Sequence, residues 1–136
     1  MAKEKIAIVV SRFNEEITMK MKNKAIQRAK ELQTDIVKIA EVPGAFEIPL
    51  AVKRLLENKN IDGVVTIGAV IKGDTDHDVV IVNSVAGKLL SLSINYNKPV
   101  SLGILGPNIK WQQAEKRIND YATRAVDAVV DALGRR

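Results

Sequence analysis

The sequence predicts a three-layer α/β/α sandwich built on a four-stranded parallel sheet, and three observations predict it. Short, continuous apolar runs alternate with longer stretches whose apolar residues recur every three or four positions. The first and third of these runs show no polar face, the mark of strands covered on both sides in a parallel sheet. The order along the chain reads β-α-β-α-β-α-β-α, which right-handed crossovers wind into a flavodoxin-like arrangement.

Ile6–Val10 reads as the first buried strand, ending at Ser11. Ile17, Met21, Ala25, Ala29 and Leu32 then fall on one helical face, with Lys20, Lys24 and Arg28 as a separate wet stripe. Asp35–Glu41 is the second strand and Val-Pro-Gly its turn. Ile48, Ala51, Val52, Leu55 and Leu56 mark the second helix. Pro49 suits its first turn, where a missing amide donor costs little, and Asn58–Asn60 closes it. Gly63–Val70 is the third strand, apolar on both faces. Val79–Tyr96 starts with strand-like Val-Val-Ile-Val, but its length favours a helix. Its apolar residues surround it on most sides, which predicts burial on more than one face and hints at a subunit interface. Val100–Leu105 is the fourth strand, followed by helices over Ile109–Asn119 and Tyr121–Leu133. Ile118, Ala122, Ala125, Val129 and Leu133 share a face of the last stretch.

Composition narrows the function classes. The 136 residues fit one domain, 1–136, long enough for a core without disulfides. There is no cysteine, which excludes thiolate metal sites and a thiol nucleophile. The apolar start, Ile6–Val10, is too short for a signal-peptide core, and no run approaches the roughly 20 apolar residues of a membrane span. The expectation is an unexported, cytoplasmic protein with no membrane partner. The net charge of +5 invites a nucleic-acid reading, but the charges are dispersed and aromatics make up only 4%. No nucleic-acid-binding signature is present, so no nucleic-acid partner is expected.

In such folds ligands sit beyond the carboxyl ends of the strands. Those ends fall at Ser11–Asn14, Val42–Glu47, Gly68–Asp78 and Leu102–Asn108, and every distinctive motif lies at one of them. Gly68–Asp78 follows a strand and precedes a helix, so its backbone and the helix amides favour an anion. Thr75 adds a hydroxyl donor there. Its Gly-x-x-x-x-Gly spacing imitates a P-loop, but Asp74 stands where that loop needs lysine. Asp74, Asp76 and Asp78 imitate a calcium loop, but Val79 and Val85 occupy its glycine and glutamate positions. A lone histidine is a poor basis for a metal site, so none is expected. His77, the single histidine, suits proton transfer near neutral pH. Val42-Pro-Gly-Ala-Phe-Glu-Ile-Pro49 fits either a plain turn with a helix start or a pocket wall with one carboxylate. Phe13 fits either the core or a stacking platform for a flat heterocycle. Arg117 and Arg124, seven apart, are two helical turns from each other or simply surface residues.

Taken together, Arg-Phe-Asn-x-x-Ile-Thr, Val-Pro-Gly-Ala-Phe-Glu-Ile-Pro, Gly-x-Val-Ile-x-Gly-x-Thr-x-His and Gln-Ala-x-x-Arg closely resemble the 6,7-dimethyl-8-ribityllumazine synthase family, in an archaeal-like variant. The motifs keep the family's order over nearly the whole chain. The resemblance implies a transferase of riboflavin biosynthesis. It would join 5-amino-6-(D-ribitylamino)uracil to 3,4-dihydroxy-2-butanone 4-phosphate, releasing phosphate and water without cofactor or metal. It implies that Phe13 stacks on the pyrimidine and that Ala45, Phe46 and Glu47 bind the ribityl chain and ring surroundings. Ala69, Val70 and Ile71 would give backbone contacts to the ring. Asp74 and Thr75 would flank the phosphate, His77 would shuttle protons and Arg117 would hold the phosphate. Arg124 stands near a second basic position, and Leu102 replaces the phenylalanine of many members. Trp111 is expected as an inter-subunit contact or a pocket wall. The resemblance also implies a homo-oligomer, a pentamer or a sixty-subunit icosahedral capsid of pentamers. Phe13, Glu47 and His77 would then come from one subunit, and Leu102, Arg117 and Arg124 from its neighbour. Rival readings are an archaeal-type riboflavin synthase, an idle capsid or flavin-binding module, and a nucleic-acid-binding protein. The Val-Pro-Gly-Ala-Phe-Glu motif with His77 argues against the first. Retention of His77, Arg117 and Glu47 argues against the second.

Overall fold

The computed structural model describes residues 3–134, so the one-domain expectation for 1–136 runs at both ends outside the described residues. Four strands, β1 (Lys5–Ser11), β2 (Asp35–Val42), β3 (Gly63–Ala69) and β4 (Val100–Leu105), form an all-parallel sheet in the order β2-β1-β3-β4. The helices are α1 (Glu15–Glu31), α2 (Ile48–Leu56), α3 (His77–Tyr96), α4 (Trp111–Lys116) and α5 (Ile118–Gly134). A short 3-10 turn, Ala45–Glu47, leads into α2.

Alternation along the strands divides the core in two. Ile6, Ile8 and Val10 of β1 point to the layer of α1 and α5, where Met21, Ala25, Ala122 and Val129 are buried. Ala7 and Val9 point to the layer of α2 and α3, against Ile48, Val52, Val85 and Leu89. The predicted faces of α1 and α5 are buried as expected, apart from Leu32, which is half-buried at the edge of the core. β3 is buried along its whole length, and β2, at the sheet edge, is mostly exposed.

Three expectations change. Arg28 is not part of a wholly wet stripe: its Nε donates to Asp127 Oδ1 at 2.7 Å and ties α1 to α5. The last two helices break at Arg117, three residues before the predicted boundary, so Arg117 sits at a joint. α3 is a helix as predicted, but within the chain it is buried on one face only. Val82, Val85, Leu89 and Leu92 meet the sheet layer, while Val80, Leu90 and Ile94 face outward uncovered. By length and mean hydropathy, 1.3, α3 passes a membrane-span test, contrary to the reading of the sequence. Its packing on β4 and α2 makes it a layer of the sandwich.

Candidate active site

The carboxyl ends of β1, β2 and β3 meet at the point where the chain turns from one half of the sheet to the other. A cleft of about 340 Å³ opens there. Its floor is the exit of β3, Ala69, Val70 and Ile71. Phe13 and the Gly44–Glu47 turn flank it, and Gly73, Thr75, His77, Asp78 and Ile81 close it.

Phe13 follows directly on β1 because the ladder continues past the strand: Arg12 N–H donates to Val42 O at 2.8 Å and Phe13 N–H to Pro43 O at 2.9 Å. The ring itself is 70% exposed, which removes the core reading and leaves the stacking one. Asn14 then turns the chain into α1 with a left-handed backbone, φ 63°. Its Nδ2 donates to Ala69 O at 2.9 Å, so the turn carrying Phe13 is fastened to the cleft floor. Asparagine is among the few residues that adopt this conformation readily.

The second wall is the 3-10 turn. Ala45 is buried beneath it while Phe46 is 69% exposed. Glu47 takes the N-cap position of α2, where the partial positive charge of a helix start favours a carboxylate. A methyl group on Gly44 would lie 3.2 Å from Glu47 Oε1, so glycine leaves the carboxylate room. Among the described residues no donor engages that carboxylate, which leaves it open to accept from a ligand hydroxyl.

The third wall is the turn before α3. His77 N–H points to Thr75 Oγ1 at 3.4 Å, which still leaves the threonine hydroxyl hydrogen free to donate. The imidazole is exposed at the cleft. Asp76 caps the helix through its backbone, with Val79 N–H on Asp76 O at 3.1 Å, and Lys72 Nζ stands 4.0 Å from Asp76 Oδ1. Helix-start amides and the Thr75 hydroxyl thus lie beside the His77 imidazole, an arrangement that can receive an anion. Asp78 is turned inward, only 3% exposed, and its carboxyl lies below the usual carboxylate range. The main cause is the Asn108 N–H donating to Oδ2 at 2.8 Å; burial opposes it and Lys72 assists.

Not every residue singled out in the sequence meets here. Asp74 is exposed on the loop and does not line the cleft. Leu102, 49% exposed, and Arg124 line a separate groove of about 320 Å³ between β4 and α5, with Ser101 and Tyr121. Arg117 lines neither; it sits at the α4–α5 joint with its carbonyl accepting from Tyr121 N–H at 2.9 Å. Trp111 is half-buried against the α1–α5 core within its own chain, so it walls no part of the cleft. Asn14 and Asp78 are the parts of the site whose roles went unseen. The first had a signal, an asparagine between a strand end and a helix. The second had none beyond its place next to His77.

Fold and cleft define an α/β/α protein in which two exposed rings, a carboxylate and a helix start face one cleft. A family model described as 6,7-dimethyl-8-ribityllumazine synthase matches residues 3–135. A protein of that name from Metallosphaera sedula is 54% identical over 93% of this chain and 83% of its own length. Proteins of the same name from Staphylothermus marinus and Saccharolobus islandicus are 50% and 47% identical, each over 96% of this chain and 87% and 85% of their own lengths. The chain belongs to the 6,7-dimethyl-8-ribityllumazine synthase family.

Proposed function

We infer that the chain condenses 5-amino-6-(D-ribitylamino)uracil with 3,4-dihydroxy-2-butanone 4-phosphate, making 6,7-dimethyl-8-ribityllumazine, phosphate and water in riboflavin biosynthesis. One observation carries the reading into residues: Phe13, Glu47 and His77, from three distant segments, line the same cleft. In this proposal Phe13 stacks on the pyrimidine. Ala69, Val70 and Ile71 form the floor under the ring, and Ala45, Phe46 and Glu47 take the ribityl side. Thr75 and the amides around it receive the phosphate, with Asp74 beside it, and His77 moves protons during imine formation, elimination and closure. Holding two substrates in contact supplies much of the rate.

Among the described residues no arginine lines the cleft. Leu102 and Arg124 line a separate groove and Arg117 lines neither, which supports a site completed by a neighbouring copy. The open face of α3 supports such packing as well. We propose a homo-oligomer, a pentamer or a capsid of pentamers. The phosphorylated substrate is retained by its charge, which supports a cytoplasmic setting.

The test mixes purified protein with both substrates and follows lumazine absorbance and released phosphate. Turnover above the spontaneous rate is expected, and its absence sinks the proposal. Mixing His77→Ala with Arg117→Ala subunits after dissociation tests sharing. Activity above either parent is expected, and an additive mixture overturns the shared site.

A further inference from the structure

The loop that carries His77 is held at both ends by one short stretch of chain. At its start, Lys72 N–H donates to Ile109 O at 2.9 Å. At its end, Asn108 N–H donates to Asp78 Oδ2 at 2.8 Å. Asn108 and Ile109 are adjacent, so the exposed loop of residues 73–77 hangs from a single point of the β4–α4 connection. That connection is itself pressed onto the floor of the cleft. Val70 N–H donates to Leu105 O at 2.8 Å, and a side chain on Gly106, φ 119°, would meet Val70 O at 2.5 Å. Asn108 adopts a left-handed backbone, φ 63°, which aims its amide at α3.

Of these ties only one depends on a side chain, and it is the only one that reaches the helix bearing His77. Asp78 makes it while nearly fully buried at the cleft. Its second oxygen, Oδ1, is buried with no hydrogen-bond partner among the described residues. A buried carboxylate oxygen left without a partner beside a cleft calls for a role there.

We propose that Asp78 is a positioning residue that fixes the anion-binding loop and His77 against the β4–α4 connection. The proposal rests on the reading of function above and adds a residue to it. Losing the tie frees one end of the 73–77 loop, which lies at the phosphate side of the cleft. The opposite wall, with Phe13 and Glu47, has its own fastening through Asn14 and is left in place.

The experiment compares wild type, Asp78→Ala and Asp78→Asn, varying each substrate separately. Asp78→Ala is expected to raise KM for the butanone phosphate about tenfold, the scale of one lost charge-assisted hydrogen bond. KM for the pyrimidine is expected to stay within about twofold, because its wall is separately anchored. Asp78→Asn keeps an oxygen that accepts from Asn108 and is expected to recover most of the loss. Equal rises in both KM values, or an Asn variant as impaired as the Ala variant with its fold intact, overturns the proposal. Amide hydrogen exchange at Asn108 gives a readout without turnover. Protection is expected in wild type and Asp78→Asn and is expected to be lost in Asp78→Ala. Should Asp78→Ala not fold, an unprotected Asn108 in Asp78→Asn beside wild-type KM values overturns it. A wild type without turnover sinks the functional reading instead. In that case equal Asn108 exchange in wild type and Asp78→Ala sinks the tie too.

Discussion

The side-chain amide of Asn14 donates to the carbonyl of Ala69 at 2.9 Å, joining the turn after β1 to the exit of β3. Phe13 is the neighbour of the donor and Val70 of the acceptor, so this bond ties the ring's turn to the floor. Asn14 also holds a left-handed φ of 63°. Two variants separate these roles. Asn14→Gly keeps the backbone at ease but loses the tie. Asn14→Ala loses the tie and adds strain of roughly 1–2 kcal/mol. Both are expected to raise KM for the pyrimidine several-fold, and only the alanine variant is expected to lose the extra stability. Thermal midpoints and substrate titrations check this; equal midpoints for the two variants dismiss the strain.

His77→Ala tests the proton carrier. The imidazole is exposed at the cleft and engages no side chain among the described residues, so its removal leaves the fold alone. General acid–base catalysis typically contributes at least about 10²-fold, but this condensation also proceeds unaided, so a partial fall of up to that size is expected. Initial rates measured beside light scattering decide it. An unchanged rate removes His77 from the chemistry, and a changed particle size shows a structural role instead.

Much of this was legible beforehand, and the physical reason is periodicity. β3 is apolar apart from Thr66 because both faces are covered, and it is readable as Gly63–Val70 against Gly63–Ala69 observed. Boundaries set by joints were harder. Ile109–Asn119 was read as one helix because Arg117 carries no breaker, yet its backbone leaves the helix there. The outward face of α3 shows the limit most clearly. Val80, Leu90 and Ile94 tell of burial on a second side, and nothing among the described residues covers them. Cleft residues contributed by motifs were visible. Asp78 was not, because its partner is thirty residues away and is a backbone amide, which no spacing rule reports.

The Asp78 carboxyl gives a pH dependence with a definite sign. Its folded value is held below the ordinary 3.8, first by the Asn108 amide, so the folded protein favours the charged form. Such a group stabilises above its unfolded value, and the contribution fades as pH falls through the lower folded value. Asp78→Asn removes this component. The stability gap between wild type and variant is therefore expected to be constant from neutral pH down to about the ordinary carboxylate range and to close below it. Denaturant midpoints of both proteins across that range measure the gap. A gap that widens in acid contradicts the assignment.

Thr66 offers a stability test far from the cleft. Its side chain is fully buried in the middle of β3. Its Oγ1 donates to Ser101 O at 2.7 Å and accepts from Gly103 N–H at 3.2 Å, so one hydroxyl bridges two residues of β4. Gly103 has no room for a side chain: a Cβ there would collide with the Thr66 carbonyl and approach Ala125 Cβ to 2.9 Å. Thr66→Val keeps the shape and strips both bonds. Each lost bond is worth about 0.5–1.5 kcal/mol net, so the expected loss is about 1–3 kcal/mol. Thr66→Ser keeps both bonds and loses one methyl group, for about 1 kcal/mol. The two effects are opposed in kind: shape kept and bonds lost, against bonds kept and volume lost. Valine is expected to be the more damaging, with turnover per folded molecule unchanged in both. Urea unfolding with substrate assays checks the order; a valine variant as stable as wild type means that the hydroxyl bridge contributes nothing to holding β4 on β3.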